Sequence, residues 1–334
     1  MLKTLRHLAV AALLASGVPM AAHAQPVELK VSHYLPPNHT IQKVLEDWGK
    51  ELDTKSNGQL KLRIYPAAQL GPPQRQFDLA RNGQADMAVG ITGVTPGRYP
   101  MTEIATMPFV APSAGATSAI MSKRLTELMP KYIAPDFAGL HLLWVGVTPT
   151  NTVFTSRREI AAIADWGGLK LRFQGEQQAN VLRALGAAPL QVPPGEIADG
   201  MSKGVIDGAM FNYEAAESFG LSTVTRHVME PAIFTGTLVL AMNAAKYNAL
   251  PANLRALIDE TTGVAAAEQL GIRWDAAEQH GRQTMLDAKV EINTLSASEI
   301  ARLRAVTAPL VTEAVESVEK SGKPGRAFLA DYTK

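Results

Sequence analysis

The chain has 334 residues, 46% of them hydrophobic and 19% charged, with 32 Lys+Arg against 31 Asp+Glu. It has no cysteine, which excludes a disulfide framework, a thiolate metal site and a cysteine nucleophile. Balanced charge without a basic run, and an aromatic content of 6%, exclude the phosphate-neutralising stripe and stacking platform of a nucleic-acid binder.

Residues 1–24 come first in the reading. Lys3 and Arg6 precede an apolar run over 8–18, and Ala22-His23-Ala24 offers a small-x-small cleavage site. This predicts a secretory signal peptide cleaved near Ala24, because the apolar run is about half of the roughly 20 residues a spanning helix needs. Export to the periplasm is the expected localisation. The mature chain then has 310 residues (334 − 24), enough for two lobes. Losing Lys3 and Arg6 leaves 30 basic residues (32 − 2) against 31 acidic ones, a formal charge near −1. No later segment approaches a spanning length, so this part is expected to be soluble.

Residues 27–32 (VELKVS) alternate apolar and polar, as a half-buried strand does. The breaker cluster Leu35-Pro36-Pro37-Asn38-His39 leads into an amphipathic helix over 40–55, ended by Asn57-Gly58. Residues 60–65 (LKLRIY) alternate again. After the turn Leu70-Gly71-Pro72-Pro73, a helix over 74–82 closes at Gly83 and feeds the run 85–91 (ADMAVGI), suited to a buried parallel strand. This β-α-β-α-β beginning predicts an α/β lobe whose ligands bind beyond the carboxyl ends of the strands, where the loop 93–100 (GVTPGRYP) sits. Residues 140–147 (LHLLWVGV) read as another buried strand, and the polar, proline-interrupted stretch 148–151 as a crossing between lobes.

The second lobe repeats the pattern: strand 169–173 (LKLRF), helix 176–185 ending at Gly186, strand 190–192, helix 194–202 and strand 205–211 (VIDGAMF). Residues 235–242 (TGTLVLAM) form a strand able to carry the chain back. The alanine-rich stretch 251–280 predicts one extended helix, and a final helix is expected over 298–320.

Five stretches then stand in one order across nearly the whole mature chain. They are Tyr65-Pro66 followed by Gln69-Leu70-Gly71; Asn82-Gly83 with Ala85-Asp86; Pro108-Phe109; Trp166-Gly167-Gly168-Leu169-Lys170-Leu171-Arg172; and Gly204-Val205-Ile206-Asp207-Gly208. Together they resemble the solute-binding proteins of tripartite ATP-independent periplasmic (TRAP) transporters. The resemblance implies a two-lobed periplasmic-binding-protein fold of class α/β, each lobe a sheet flanked by helices, with a long helix spanning both. On that pattern 25–149 with 238–277 form the first lobe, 150–237 with 278–334 the second, and the ligand cleft lies between. It also implies a small organic carboxylate as ligand, no cofactor or metal, no enzymatic activity, and a monomer. Such a protein meets the membrane only through its sodium-driven permease, which has a small and a large subunit.

Arg172 stands where the family places its nearly invariant arginine. A guanidinium suits the role because its planar fork of donors matches a carboxylate at two points and stays charged. Sialic-acid-binding members place an asparagine four residues after the Asp-Gly aspartate, which falls here on Phe211, with Asn212 one step later. Either Asn212 supplies the polar contact or Phe211 presents a ring, since neighbours on an extended segment face opposite ways.

Counting back from Arg172, the second arginine of those members falls on Thr152, their first-strand asparagine on Tyr34 and their third-strand acid on Ile91. Losing a second cation removes the partner a second carboxylate requires. A monocarboxylate is therefore favoured, with Tyr34, Ile91, Phe211 and Trp144 offering apolar or aromatic surface to an aromatic or branched apolar body. Arg98 and Arg157 stay open as second cations. His33 and His39 flank the first loop; His39 is expected to orient ligand rather than bind metal, since no third ligand stands at a suitable spacing. Two alternatives remain at this point: the binding component of another importer or sensor, and a periplasmic enzyme using His39 and Asp207 as acid and base.

Overall fold

A computed structural model describes residues 25–334, so the expected signal peptide lies outside the described residues. Eleven strands form among them: β1 (Val27–His33), β2 (Leu60–Tyr65), β3 (Met87–Ile91), β4 (Leu140–Val147), β5 (Asn151–Thr155), β6 (Lys170–Arg172), β7 (Ala188–Leu190), β8 (Gly208–Phe211), β9 (His227–Phe234), β10 (Thr237–Asn243) and β11 (Glu291–Thr294). They build two sheets, of order β2-β1-β3-β10-β4 and β11-β9-β5-β8-β6-β7.

In the first sheet β1, β2 and β3 run parallel, and β10 is antiparallel to both β3 and β4. In the second, β8, β6 and β7 run parallel, and β5 is antiparallel to both β8 and β9. The two reversed strands have one cause: each is the strand on which the chain arrives from the other sheet. The arrivals pass through 148–150 and 235–236. There Thr148 N donates to Gly236 O at 2.8 Å, and Gly236 N donates to Thr148 Oγ1 at 2.8 Å.

Alternation along the buried strands feeds a core on each face of each sheet. On β10, Leu238, Leu240 and Met242 join one cluster with Leu29, Val31 and Ile41, while Val239 and Ala241 join another with Phe77, Tyr99 and Phe137. In the second lobe Val153 and Met210 face one cluster, Phe154 and Phe211 the other. Each lobe also carries the same aspartate device. Asp86 Oδ2 accepts from Lys30 N, and Asp207 Oδ2 accepts from Lys170 N, both at 2.8 Å. Each carboxylate thereby pins the start of a cleft-directed strand to its neighbour.

The helix expected over 251–280 is broken. It forms as Ala252–Thr261 and Gly263–Asp287, with Thr262 extended and Gly263 at φ +78°. The hydroxyls of Thr261 and Thr262 turn back onto the carbonyls of Leu257 and Ile258, competing with helix continuation, and glycine takes the left-handed turn without a Cβ penalty. The longer piece runs seven residues past the expected end at His280 and packs against a helix of each lobe, Ser118–Leu128 and Tyr213–Ser218. Asp275 caps the first by accepting from Ser118 N at 2.8 Å and Ala119 N at 3.1 Å; Glu278 caps the second.

The end of the chain departs from its expected place with the second sheet. Helix Ala297–Lys320 starts on the second-lobe core through Leu303, but Val315, Val318, Phe328 and Tyr332 pack with Phe77 and Val145 of the first lobe. Pro309 lies inside this helix between the two anchorages. No helix among the described residues is long and apolar enough to cross a membrane.

Two glycines let the long helix approach its neighbours. A Cβ on Gly271 would lie 2.3 Å from Ala119 Cα, and one on Gly281 would lie 2.6 Å from the Tyr213 carbonyl. Gly281→Ala should therefore lower the unfolding free energy by about 1–3 kcal/mol in urea titrations. Gly195→Ala, with nothing within 4 Å, should shift it by less than about 0.5 kcal/mol; equal effects would contradict the close-packing account.

Candidate ligand cleft

A cavity of about 360 Å³ lies between the sheets, lined from both. Its wall collects strand ends. Tyr34 follows β1, Ile91 ends β3, Thr148 follows β4, Arg172 ends β6, Phe211 ends β8 and Asn212 follows it, while Leu238 enters from the amino end of the reversed β10. This is the place parallel α/β sheets reserve for ligands, because loops there are free to vary above a fixed sheet edge.

Arg172 is 3% exposed, yet among the described residues it has no counter-charge within hydrogen-bonding reach. Its Nε donates to Val192 O at 3.3 Å, and its Nη1 is buried with no partner among the described residues. The Phe211 ring lies 4.9 Å from the guanidinium carbon, an arrangement that favours a cation. Burial pulls the Arg172 pKa down to about 10, with Tyr34 opposing, so the group remains charged at neutral pH. A buried charge with an unused donor is a built receptor for an anion.

An acid occupies the same wall. Glu214 takes Thr40 N at 2.9 Å and Thr40 Oγ1 at 2.8 Å on its Oε1, and stands 3.3 Å from His39 Nε2 through its Oε2. It therefore reaches from the second lobe to cap the helix Thr40–Lys55 of the first. His39 Nδ1 accepts from Ile41 N at 3.1 Å, and burial lowers its pKa, so the ring is neutral with its proton on Nε2. Behind Glu214, Glu278 accepts from Tyr213 N at 2.8 Å and from Glu214 N and Asn212 Nδ2, both at 2.9 Å. Burial raises the Glu278 pKa to about 7 against those donors.

Six of the residues expected at the site thus line one cavity: Tyr34, His39, Ile91, Arg172, Phe211 and Asn212. Phe211 and Asn212 both do so, because the strand ends between them and the chain turns into the helix Tyr213–Ser218. Thr152 does not line it. Its hydroxyl donates to the Met229 carbonyl of the adjacent strand, so the side chain is spent inside the sheet. Trp144 does not line it either: it lies three residues before the cleft end of β4 and faces a separate groove with Trp48 and Leu270.

Arg98 binds Asp78 at 3.0 Å, and Arg157 lies beside Gly204; neither is in the wall. His33 is held by Gln42 at 2.7 Å in the core. Asp207 sits at the amino end of β8, the end remote from the cleft, so it is not set against His39. Sequence reasoning missed Glu214, Gln174, Phe219 and Trp274. Glu214 stands two residues after Asn212, and a carboxylate following the Phe211-Asn212 pair was the available signal.

The family described as bacterial extracellular solute-binding protein, family 7, matches residues 31–317. The chain belongs to this family. Among solved structures, a TRAP solute-binding protein from Rhodoferax ferrireducens T118 with copurified benzoate is 31% identical, with a TM-score of 0.87 over 92% of this chain and 96% of that one. A marine-metagenome TRAP solute-binding protein, specific for aromatic acid ligands and in complex with 3-hydroxybenzoate, is 30% identical, with a TM-score of 0.87 over 92% and 97%. One from Bordetella bronchiseptica with bound (R)- and (S)-mandelate is 28% identical, with a TM-score of 0.84 over 92% and 98%.

As a TRAP solute-binding protein the chain is a receptor in transport, from a family that works outside the cytoplasm with membrane permeases. The sign of its pH response follows from Glu278. A carboxyl whose pKa rises on folding contributes its full stability below the unfolded value near 4.5 and loses it as pH passes about 7. Burial lowers the pKa of His33 to about 4, which acts in the opposite sense below its ordinary 6.5, so only a difference measurement isolates Glu278. In urea titrations, Glu278→Gln should gain stability relative to wild type as pH rises from about 5 to about 8. A difference constant across that range would show that Glu278 does not titrate there.

Proposed function

We propose that the chain captures an aromatic monocarboxylate and passes it to a TRAP permease made of a small and a large membrane subunit. The observation that carries the reading is the buried Arg172 with its unpaired Nη1. Arg172 is the one arginine or lysine among the lining residues, so one carboxylate meets a counter-charge and a second meets none. Glu214 in the same wall repels a second carboxylate further. Tyr34, Ile91, Phe211, Phe219 and Trp274 supply apolar surface, and a cavity of about 360 Å³ is near the lower end of the range for ligand pockets, which suits a single ring. Benzoate, 3-hydroxybenzoate and mandelate in the three relatives are of this class.

The chain acts as a monomer that binds without chemical change. Its leader is removed near Ala24, and the mature protein works in the periplasm. The lobes divide as 25–149 with 238–277 against 150–237 with the residues from 278, apart from the terminal helices that return to the first lobe. Binding favours closure because the ligand touches Tyr34 and Ile91 of one lobe and Arg172 and Asn212 of the other only when the lobes meet.

Thermal-shift and calorimetric titration of the purified chain tests this. Benzoate and arylacetates should raise the melting temperature, while dicarboxylates and uronates should leave it unmoved. Arg172→Ala should cost about 2–5 kcal/mol of binding, thirtyfold or more in Kd, with the ligand-free melting temperature retained. Tight uronate binding with silent benzoate, or near-native affinity in Arg172→Ala, would remove the proposal.

A further inference from the structure

Capture of a carboxylate leaves one feature of the cleft unused, its acid. Glu214 shares the wall with Arg172, and a fixed negative charge there weakens the binding of any anion unless the ligand gives something back to it. Its Oε1 is occupied by Thr40 N and Thr40 Oγ1, whereas among the described residues Oε2 meets only His39 Nε2, at 3.3 Å. Each carboxylate oxygen has two acceptor directions, so Oε2 keeps one. His39 cannot use it differently, because its Nδ1 is engaged by Ile41 N and its remaining proton is directed at Glu214. Tyr34 stands within electrostatic range of both Arg172 and Glu214, lines the cavity, and has no hydrogen-bond partner for its hydroxyl among the described residues.

We infer that Tyr34 and Glu214 form a second pole of the cleft that takes a hydroxyl on the ligand's ring, making hydroxylated aromatic monocarboxylates the preferred class. The inference rests on Arg172 holding the carboxylate of an aromatic acid. A ring hydroxyl fits because it both donates and accepts: its proton goes to Glu214 Oε2 and its oxygen receives the Tyr34 proton. A bare ring satisfies neither group. A second carboxylate has no proton to give at neutral pH and faces the Glu214 charge directly.

Calorimetry on the full chain with benzoate, the three hydroxybenzoates and benzene-1,3-dicarboxylate reads this out. At least one hydroxybenzoate should bind wild type about tenfold tighter than benzoate, as a hydrogen bond to a charged group implies, and the dicarboxylate should not bind. Tyr34→Phe should erase most of that ratio, and Glu214→Gln should erase it while admitting the dicarboxylate. Glu214→Gln also touches Thr40 and His39; Tyr34→Phe removes a single oxygen and keeps the test decisive if the other variant fails to fold. Equal affinity for benzoate and every hydroxybenzoate, or a ratio that survives Tyr34→Phe, would overturn the second pole and leave Arg172 in place. Silence of all the aromatic acids would overturn the aromatic reading and this inference with it.

Discussion

A guanidinium buried without a counter-charge is the constraint around which this molecule is arranged. An unsatisfied buried donor costs about 1–3 kcal/mol, more for a charged group, and the carboxylate proposed above would remove that cost. Every element near Arg172 holds it in that condition. Val192 gives Nε a carbonyl, Phe211 covers one face of the guanidinium, and no acid among the described residues approaches within salt-bridge distance. The strand beneath is fixed in turn, because Asp207 pins Lys170, two residues earlier, to the start of β8. Trp166–Arg172 and Gly204–Gly208, two of the five stretches that carry the family resemblance, are thus two sides of one fixture.

The opposite pole is fixed by the long helix rather than by a sheet. Between Gly271 and Gly281 this helix makes two equivalent fixtures, one per lobe. Each combines a glycine that admits a neighbouring backbone with a carboxylate, Asp275 or Glu278, that caps the neighbour's first turn. The glycines are ten residues apart, about 15 Å of helix. Trp274, between them, lines the cleft. Asn212 and Glu214 owe their positions to Glu278, so the helix joining the lobes also sets the ligand's surroundings. A helix that served only as a tether would not need a carboxylate at each contact.

What was legible in the sequence follows from how each feature is encoded. Strands with strong alternation or a continuous apolar run, β2 and β4, were read to their ends, because burial on one or both faces leaves a local periodicity. β5, β9 and β11 went unread: β5 and β11 are five and four residues long, and β9 carries Pro231. The break at Thr262-Gly263 escaped because a lone glycine in an alanine-rich run is weak evidence against a helix; the threonine back-bonding that decides it is visible only in three dimensions. At the site, Arg172 was legible through its motif. Thr152 falls outside the cleft because counting along a chain says nothing about which way a side chain faces once a strand is reversed, and Trp144 because an aromatic side chain suits a groove set back from the sheet edge as well as it suits a cleft.

The reversed strands explain why the cleft and the lobe crossings are one place. β5 and β10 each begin where the chain has just left the other sheet, so both crossings reach the edge at which the parallel strands end. Thr148 belongs to a crossing and lines the cavity; Leu238 follows the other crossing and lines it as well. Gln174, two residues beyond Arg172, receives a hydrogen bond from Asn151 at 3.4 Å, and a Cβ on Gly236 would lie 3.1 Å from its side chain. In the closure proposed above, a rotation of one lobe against the other acts first on the torsions of these crossings. Thr148, Gln174 and Leu238 are themselves in the cavity wall, so in that closure the ligand sits where the open and closed geometries differ, and its contacts contribute directly to the free energy between them. A binding protein with its crossings far from the cleft would have to transmit that difference through its core; here the cavity wall is itself the joint.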